Sequence, residues 1–335
     1  MNEMLDLIIV GAGPAGLAAA IAAGRRDLSY LVIEKGGLVD ALQRFPTDMV
    51  FFTTPELLEI GGVPFVSPFE KPTRHESLRY YRRVSDAFQL KVAMHEPVTA
   101  VRRLGDGAFE VTSVPAGQAP GVRLARHVVI ATGAYDLPNK LDIPGEDLPH
   151  VSHYYREAHL HYRRRVVIVG GKNSAAEAAL EIFRNGGHVT LVHRHAALGD
   201  SIKYWVKPDI ENRIKEGSIP ARFGTSVIAI TPTHVVLDGP DGIVEEPADD
   251  VLLMTGYHSD TTLLTMVGAE VDPTLGAPAH DPETFESRVP GLFVVGACVA
   301  GQQSGKIFIE NGRFHGEVAV RTIADRLAAQ VATTR

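Results

Sequence analysis

MLDLIIVGAGPAGLAAAIAAGRR, residues Met4 to Arg26, decides the fold. An apolar, strand-like run from Leu5 to Val10 leads into Gly11, Gly13 and Gly16, and an alanine-rich helical stretch follows as far as Gly24. The order strand, glycine turn, helix is what makes G-x-G-x-x-G informative. The first glycine permits the tight turn, the second lets the backbone approach a pyrophosphate, and the third lets the helix pack close to the strand. The helix then turns its free amino-terminal N–H groups toward the phosphates. The next strand, YLVIE, ends at Glu34, 23 positions after Gly11, where a carboxylate can accept hydrogen bonds from an adenosine ribose.

A second copy begins at Arg164 with RRVVIVGGKNSAAEAALEIFRNGGHVTLVHRH. Gly170 takes the first glycine position, Lys172 and Ala175 fall at the other two, and the strand VTLVH ends at His193, again 23 positions on. One offset of 159 superimposes the two units without a gap. Such a repeat implies two dinucleotides. The strand ends distinguish them. Glu34 would repel a 2′-phosphate, which suits the first unit to FAD, whereas His193 and Arg194 with no acid nearby suit the second to NADPH. A guanidinium grips a phosphate through charged hydrogen bonds of ~1.5–3 kcal/mol each, enough for roughly tenfold discrimination or more.

Outward from these units, HVVIATGAY ends in Thr132 and Gly133, and DVLLMTGYH ends in Thr255 and Gly256. Each is the strand expected to close its own dinucleotide domain. About eighty residues remain after the second, including the strand candidate GLFVVGACVAG, so the chain returns to complete the first domain. The expected class is α/β, with two Rossmann-like dinucleotide-binding domains of three-layer ββα type. The NADPH domain, residues 142–257, is inserted into an FAD domain of residues 1–141 and 258–335. RHESLRYYRRVSDAF predicts a helix, KVAMHEPVTAVRRL a strand, and QQSGKIFIENGRFHGEVAVRTIADRL a last helical segment, with Lys306 and Ile307 near its start. Val318, Ile323 and Leu327 in that segment predict core or dimer packing. Phe51 and Phe52 are as consistent with core as with a flavin lining.

The remaining candidates follow. For FAD they are Gly11, Gly13, Pro14, Ala15 and Gly16 in the turn, Glu34 and Lys35 after the second strand, and Val98. Further along come Thr132 and Gly133. For NADPH they are Gly170, Gly171, Lys172, Asn173 and Ser174 in the turn, with His193, Arg194 and Gly256.

The bulk numbers exclude several classes. With 335 residues, 45% hydrophobic and 22% charged, the chain has material for two ordinary cores. A formal charge of −7 argues against a nucleic-acid partner or an anionic membrane surface. No apolar run reaches the ~18 residues of a membrane span, and the amino terminus lacks a basic segment, so a cytoplasmic protein is expected. A single cysteine, Cys298, excludes an internal disulfide. The histidines have no clustered acids, so no metal is expected.

FPTDMVFFTTPELLEIGGVPF, KPTRHESLRYYRRV, VIATGAYDLPNKLDIPGEDLPHVSHYY, VIVGGKNSAAEAALE, SIKYWVKPDIE and IFIENGRFHGE together carry a resemblance. The layout resembles the thioredoxin-reductase-like flavoproteins, and more closely the YpdA-type bacillithiol-disulfide reductase family. That resemblance implies FAD in the first unit, NADPH in the second, and electrons passed to a low-molecular-weight disulfide or a partner redoxin. A homo-oligomer, dimer or tetramer, is expected with it. A flavin monooxygenase and a ferredoxin or flavodoxin–NADP reductase are the alternatives.

The chain departs from its relatives in three places. Thioredoxin reductases carry Cys-x-x-Cys before the second glycine motif, where this chain has PHVSHYYREAHLHYRRR. The bacillithiol-linked family has a cysteine inside the first motif, where this chain has Ala15. Many relatives place Gly-Asp, holding the flavin ribitol, where Gly296 and Ala297 stand, so the resemblance implies FAD contacts at Gly296 and Ala297 and, in the last helical segment, at Lys306 and Ile307. His153 and Tyr154 are candidate proton donors to a leaving thiolate, since imidazole titrates near neutral pH. Cys298, at a strand end among apolar residues, reads as a small buried hydrophobe.

Overall fold

The computed structural model describes residues 4–333. The chain divides into two compact units, Met1–Leu137 with Tyr257–Arg335, and Pro138–Gly256. The second is inserted in the first. The crossings fall at Leu137/Pro138 and Gly256/Tyr257, a few residues ahead of the expected ones.

In the first unit, Val92–Ala93, Tyr30–Ile33, Met4–Val10, Gly121–Ile130 and Leu292–Val294 form a parallel array. The near half of Gly121–Ile130 pairs antiparallel with Phe109–Ser113, which pairs in turn with Val98–Arg103. Strands buried on both sides read as continuous apolar runs, and Leu7 to Ile9 are fully buried. The helices Pro14–Gly24 and His315–Thr333 cover one face. Ile323 sits in that core and Leu327 packs against it. The opposite face packs Ile8, Val101, Phe109 and Cys298 together.

The second unit repeats the plan. Ala221–Phe223, His188–His193, Arg165–Val169, Asp250–Leu253 and Val151–Ser152 form a parallel sheet. The helix Asn173–Arg184 covers one face with its alanines, and the antiparallel strands Ser226–Ile230, His234–Gly239 and Gly242–Pro247 supply the core of the other. Each unit is therefore a Rossmann-like domain of the expected three layers.

Three elements differ from the sequence reading. KVAMHEPVTAVRRL is two strands, Val92–Ala93 and Val98–Arg103. The first is parallel to its neighbour and the second antiparallel to its own, so the chain must turn between them, and His95 does so at φ +56° just ahead of Pro97. GLFVVGACVAG stops being a strand at Val294 and becomes a 3₁₀ turn over Gly296–Ala300. The last segment breaks into a 3₁₀ turn at Ser304–Lys306, a helical turn at Ile309–Gly312 and the long helix from His315. Asn311 is the breaker: its Oδ1 accepts the Phe308 N–H and its Nδ2 donates to the Lys306 carbonyl, satisfying backbone groups that a continuous helix would pair itself. By contrast, the helix Arg74–Ala87 forms as read, because Thr73 and Glu76 close a reciprocal cap at its start.

Candidate functional site

The two glycine turns coincide residue for residue. The strands end at Val10 and Val169, and the helices start at Pro14 and Asn173, each pair 159 apart. Gly13 and Lys172 stand in extended conformation ahead of their helices, at φ −72° and −118°. Gly11, at φ +107°, would bring a Cβ within 2.5 Å of the Ala131 carbonyl oxygen, and a Cβ on Gly170 would lie 2.6 Å from that of Met254. Glycine at these turn positions is therefore a steric requirement.

The first turn fits a dinucleotide. Nothing lies within 4 Å of the space a Cβ on Gly13 would take, so the backbone is open to a close-lying phosphate. Gly16 does the reverse: its missing Cβ would strike the Gly11 carbonyl at 2.0 Å, and that absence lets helix and strand close up. Among the described residues, the buried Thr132 Oγ1, beside Gly11, has no hydrogen-bond partner. Glu34 is 6% exposed, and its carboxylate accepts the Ala12 N–H at 2.7 Å and the Gly36 N–H at 2.9 Å. Burial pushes Glu34 above the usual carboxylate range, against the pull of those two bonds.

Other candidates of this unit are placed as follows. Pro14 opens the helix, and Ala15 meets Gly296 so closely that a Cβ on the glycine would lie 2.8 Å from the alanine's. Gly296 donates its N–H to His315 Nδ1 at 3.2 Å, and Ala297 follows in the 3₁₀ turn. Gly133, at φ +75°, continues from Thr132. Val98 packs against the core with Val101 and Phe109. Lys35 pairs with Asp136 at 2.6 Å. Asp136 also holds Arg44, whose guanidinium lies over Tyr135. Sequence reasoning missed this Lys35–Asp136–Arg44 bridge, since its members come from separate loops with no spacing rule. Lys306 lies in the 3₁₀ turn and Ile307 is extended, so the long helix and its dipole begin nine residues later than Lys306, at His315; this corrects the assignment of that helix start to Lys306 and Ile307. Phe51 is buried core, while Phe52 meets Phe308 edge-on at 5.3 Å.

In the second unit the imidazole of His193 packs on Gly171, where a Cβ would lie 2.4 Å from the ring. The parallel with Glu34 reaching Ala12 is direct: in both units the residue ending the second strand reaches the one after the first glycine. Arg194 is exposed, with Nε 3.3 Å from His195 Nε2, and the His193 and His195 rings meet edge-on at 5.1 Å. Burial first, then these two neighbours, lower the His193 pKa. Lys172 and Ser174 are exposed on the turn, and Gly256 stands at φ +91° after Thr255. His153 belongs to this unit, with Nε2 3.4 Å from the buried Glu146, whose carboxylate also accepts the Leu141 and Asp142 N–H groups. The carboxylate should raise an imidazole's pKa, yet burial outweighs it and His153 is lowered. Tyr154 is half-buried, and its carbonyl accepts the Ser152 hydroxyl.

Cys298 is fully buried, its thiol lying 3.0 Å from the Val295 carbonyl oxygen, to which it donates. Burial pushes it up to about 11, so thiolate is negligible at neutral pH. Cys298→Ser should leave steady-state turnover within about twofold of the parent. A larger loss in a folded variant would give the thiol a role in turnover. Among the described residues no group of three or more His, Cys, Asp or Glu is placed to hold a metal ion, and no helix is long and apolar enough to cross a membrane.

Residues 8–296 match the model of a family described as pyridine nucleotide-disulphide oxidoreductase. The chain belongs to that family. Within it, the chain is 40% identical to the bacilliredoxin reductase Bdr of Bacillus subtilis, over 95% of this chain and 97% of the relative. The solved bacillithiol disulfide reductase Bdr (YpdA) from Bacillus cereus superposes with a TM-score of 0.94 at 39% identity, over 97% of this chain and 100% of that one. The thioredoxin reductase of T. acidophilum, at 20% identity and a TM-score of 0.74, shares the fold. The YpdA-type resemblance read from the motifs is thus borne out, and with it an oxidoreductase of the kind that joins a flavin to a pyridine nucleotide.

Proposed function

We propose that this chain is an NADPH-dependent, FAD-containing reductase that passes electrons to a low-molecular-weight thiol disulfide or a small redox protein. Two superimposable glycine turns carry the reading, one closed by the acid Glu34 and the other by His193 and Arg194. Bound FAD would supply the electron transfer, taking two electrons from NADPH and giving them to the acceptor. The net balance is NADPH, a proton and one disulfide in, and NADP⁺ and two thiols out. In the protein, the turn Gly11 to Gly16 and Glu34 would hold the pyrophosphate and ribose of FAD, while the backbone of the turn Gly170 to Ser174 would hold the pyrophosphate of NADPH. His153, with Tyr154 next to it in the chain, is assigned to protonating the leaving thiolate, with Glu146 at 3.4 Å favouring the charged imidazolium against the burial that lowers its pKa. With one buried cysteine in the chain, no internal dithiol relay is available.

The test is anaerobic NADPH reduction of the purified protein followed by a panel of acceptors. Bleaching of the flavin by NADPH and reoxidation by bacillithiol disulfide or a bacilliredoxin-type partner is the expected outcome. Reoxidation by ferredoxin or flavodoxin alone, or a hydroperoxide spectrum on mixing with oxygen, would replace this reading with one of the two alternatives. The same preparation would give the oligomeric state, for which this reading expects a dimer or tetramer in the cytoplasm.

A further inference from the structure

Asn173 opens the helix of the second unit, at the position held by Pro14 in the first. The side chain at this place is thus one of the differences between two turns that share their strand, turning glycine and helix start. Its amide is spent at both ends on one neighbouring loop: Nδ2 donates to the Ser201 carbonyl at 3.0 Å, and Oδ1 accepts the Lys203 N–H at 2.9 Å. One helical turn further on, Glu177 holds the Lys203 ammonium at 2.6 Å. Both units tie the segment after their second strand back to the turn by a single backbone bond. In the first, Val39 N–H donates to the Ala12 carbonyl at 3.2 Å; in the second, Gly199 N–H donates to the Gly171 carbonyl at 2.8 Å. The second adds the Asn173 and Glu177 bonds. Gly199 then lies so near the turn that a Cβ on it would be 3.1 Å from the Gly171 oxygen and 3.5 Å from Lys172 Cγ.

We propose that Asn173 is a positioning residue which clamps residues 199–203 onto the second phosphate turn, holding the turn and the adjoining Lys172 in place for the pyrophosphate of a dinucleotide. This rests on the reading of the second unit as the NADPH site. The physical reason is preorganisation. A turn and loop ordered before the ligand arrives need not be ordered by it, so less binding energy is lost. An amide engaged at both ends in neutral hydrogen bonds has one acceptor lone pair and one donor to spare, which makes it a brace before it is a ligand.

Trp205 makes the clamp observable. It is the single tryptophan of the chain, two residues beyond Lys203, with its ring 5.8 Å from the Lys203 ammonium and edge-on to Tyr204. Asn173→Ala should retain its full complement of FAD, showing that the protein has folded. Its Trp205 emission should become more accessible to acrylamide without any nucleotide present, and the Lys203 amide should exchange faster. Its Kd for NADP⁺ by calorimetry should rise about fivefold. A weaker NADP⁺ complex with Trp205 and Lys203 unchanged would make Asn173 a direct ligand and overturn the clamp. A loosened loop with unchanged affinity would overturn it also, while leaving the NADPH site standing. If the parent protein binds no NADP⁺, the site and the clamp fall together. Should Asn173→Ala fail to fold, Asn173→Ser, which keeps a polar group at the helix start, is read in the same way.

Discussion

Glu34→Ala is expected to purify colourless or nearly so, with an FAD dissociation constant raised at least about 100-fold. The carboxylate already accepts the Ala12 and Gly36 N–H groups, one on each oxygen. An ionised carboxylate has about four lone-pair sites, so two remain for the hydroxyls of a ribose. Hydrogen bonds to a charged group contribute about 1.5–3 kcal/mol each, and two of them exceed the ~2.7 kcal/mol that a hundredfold requires. The substitution also frees Ala12 N–H inside the turn, which loosens the same cradle. Glu34→Gln should fall between, since its amide accepts on one atom only. Because burial lifts the Glu34 pKa, Glu34 takes up its proton at a higher pH than an ordinary glutamate as the solution is acidified. Ribose donors favour the ionised form, so FAD affinity should fall on the acid side and hold steady above neutrality. The flavin-to-protein absorbance ratio and titration of the apoprotein across pH decide it. Full retention of FAD by Glu34→Ala would remove the carboxylate from the site.

Much of this was legible in the sequence because turn and helix geometry is local. A strand, a glycine that must turn, an open glycine, and one that must close up on the first follow each other between Met4 and Gly16; from Arg165 the strand, the turning glycine and the helix recur, with Lys172 and Ala175 in the other two places. The offset that aligns them in sequence aligns them in space. What could not be read comes from residues that meet across the chain. The Lys35–Asp136–Arg44 bridge joins three loops, and only folding places them together. Asn173 read as a nucleotide contact because its position in the turn was visible, whereas the loop that occupies its amide was not. The last helix was read as continuous because its apolar spacing is helical throughout. Asn311, a residue whose side chain competes for backbone bonds, divides it.

Arg194→Ala is expected to raise the KM for NADPH about tenfold or more while moving that for NADH little. The corner formed by His193, Arg194 and His195 lies beside the Gly170–Gly171 turn and contains no carboxylate of its own strand. Arg194 is exposed and, among the described residues, bonded through Nε to its neighbour, which leaves the rest of its fork for a phosphate. A phosphate gripped at two points gains from geometry as well as charge, and exposure reduces that gain, which is why tenfold rather than a thousandfold is the expectation. The histidines add a pH signature. Burial first, then the neighbouring His195 and Arg194, hold the His193 pKa below the usual imidazole value, which favours its neutral form. A 2′-phosphate dianion beside it favours the imidazolium, so binding raises that pKa and takes up a proton. NADPH affinity should therefore strengthen from pH 8 to pH 6, and NADH affinity, which lacks the phosphate, should stay flat. Steady-state kinetics with both nucleotides across that range test the two statements together. Equal losses for NADPH and NADH in Arg194→Ala would place the guanidinium outside the 2′-phosphate site, and a pH slope shared by both nucleotides would take the histidines out with it.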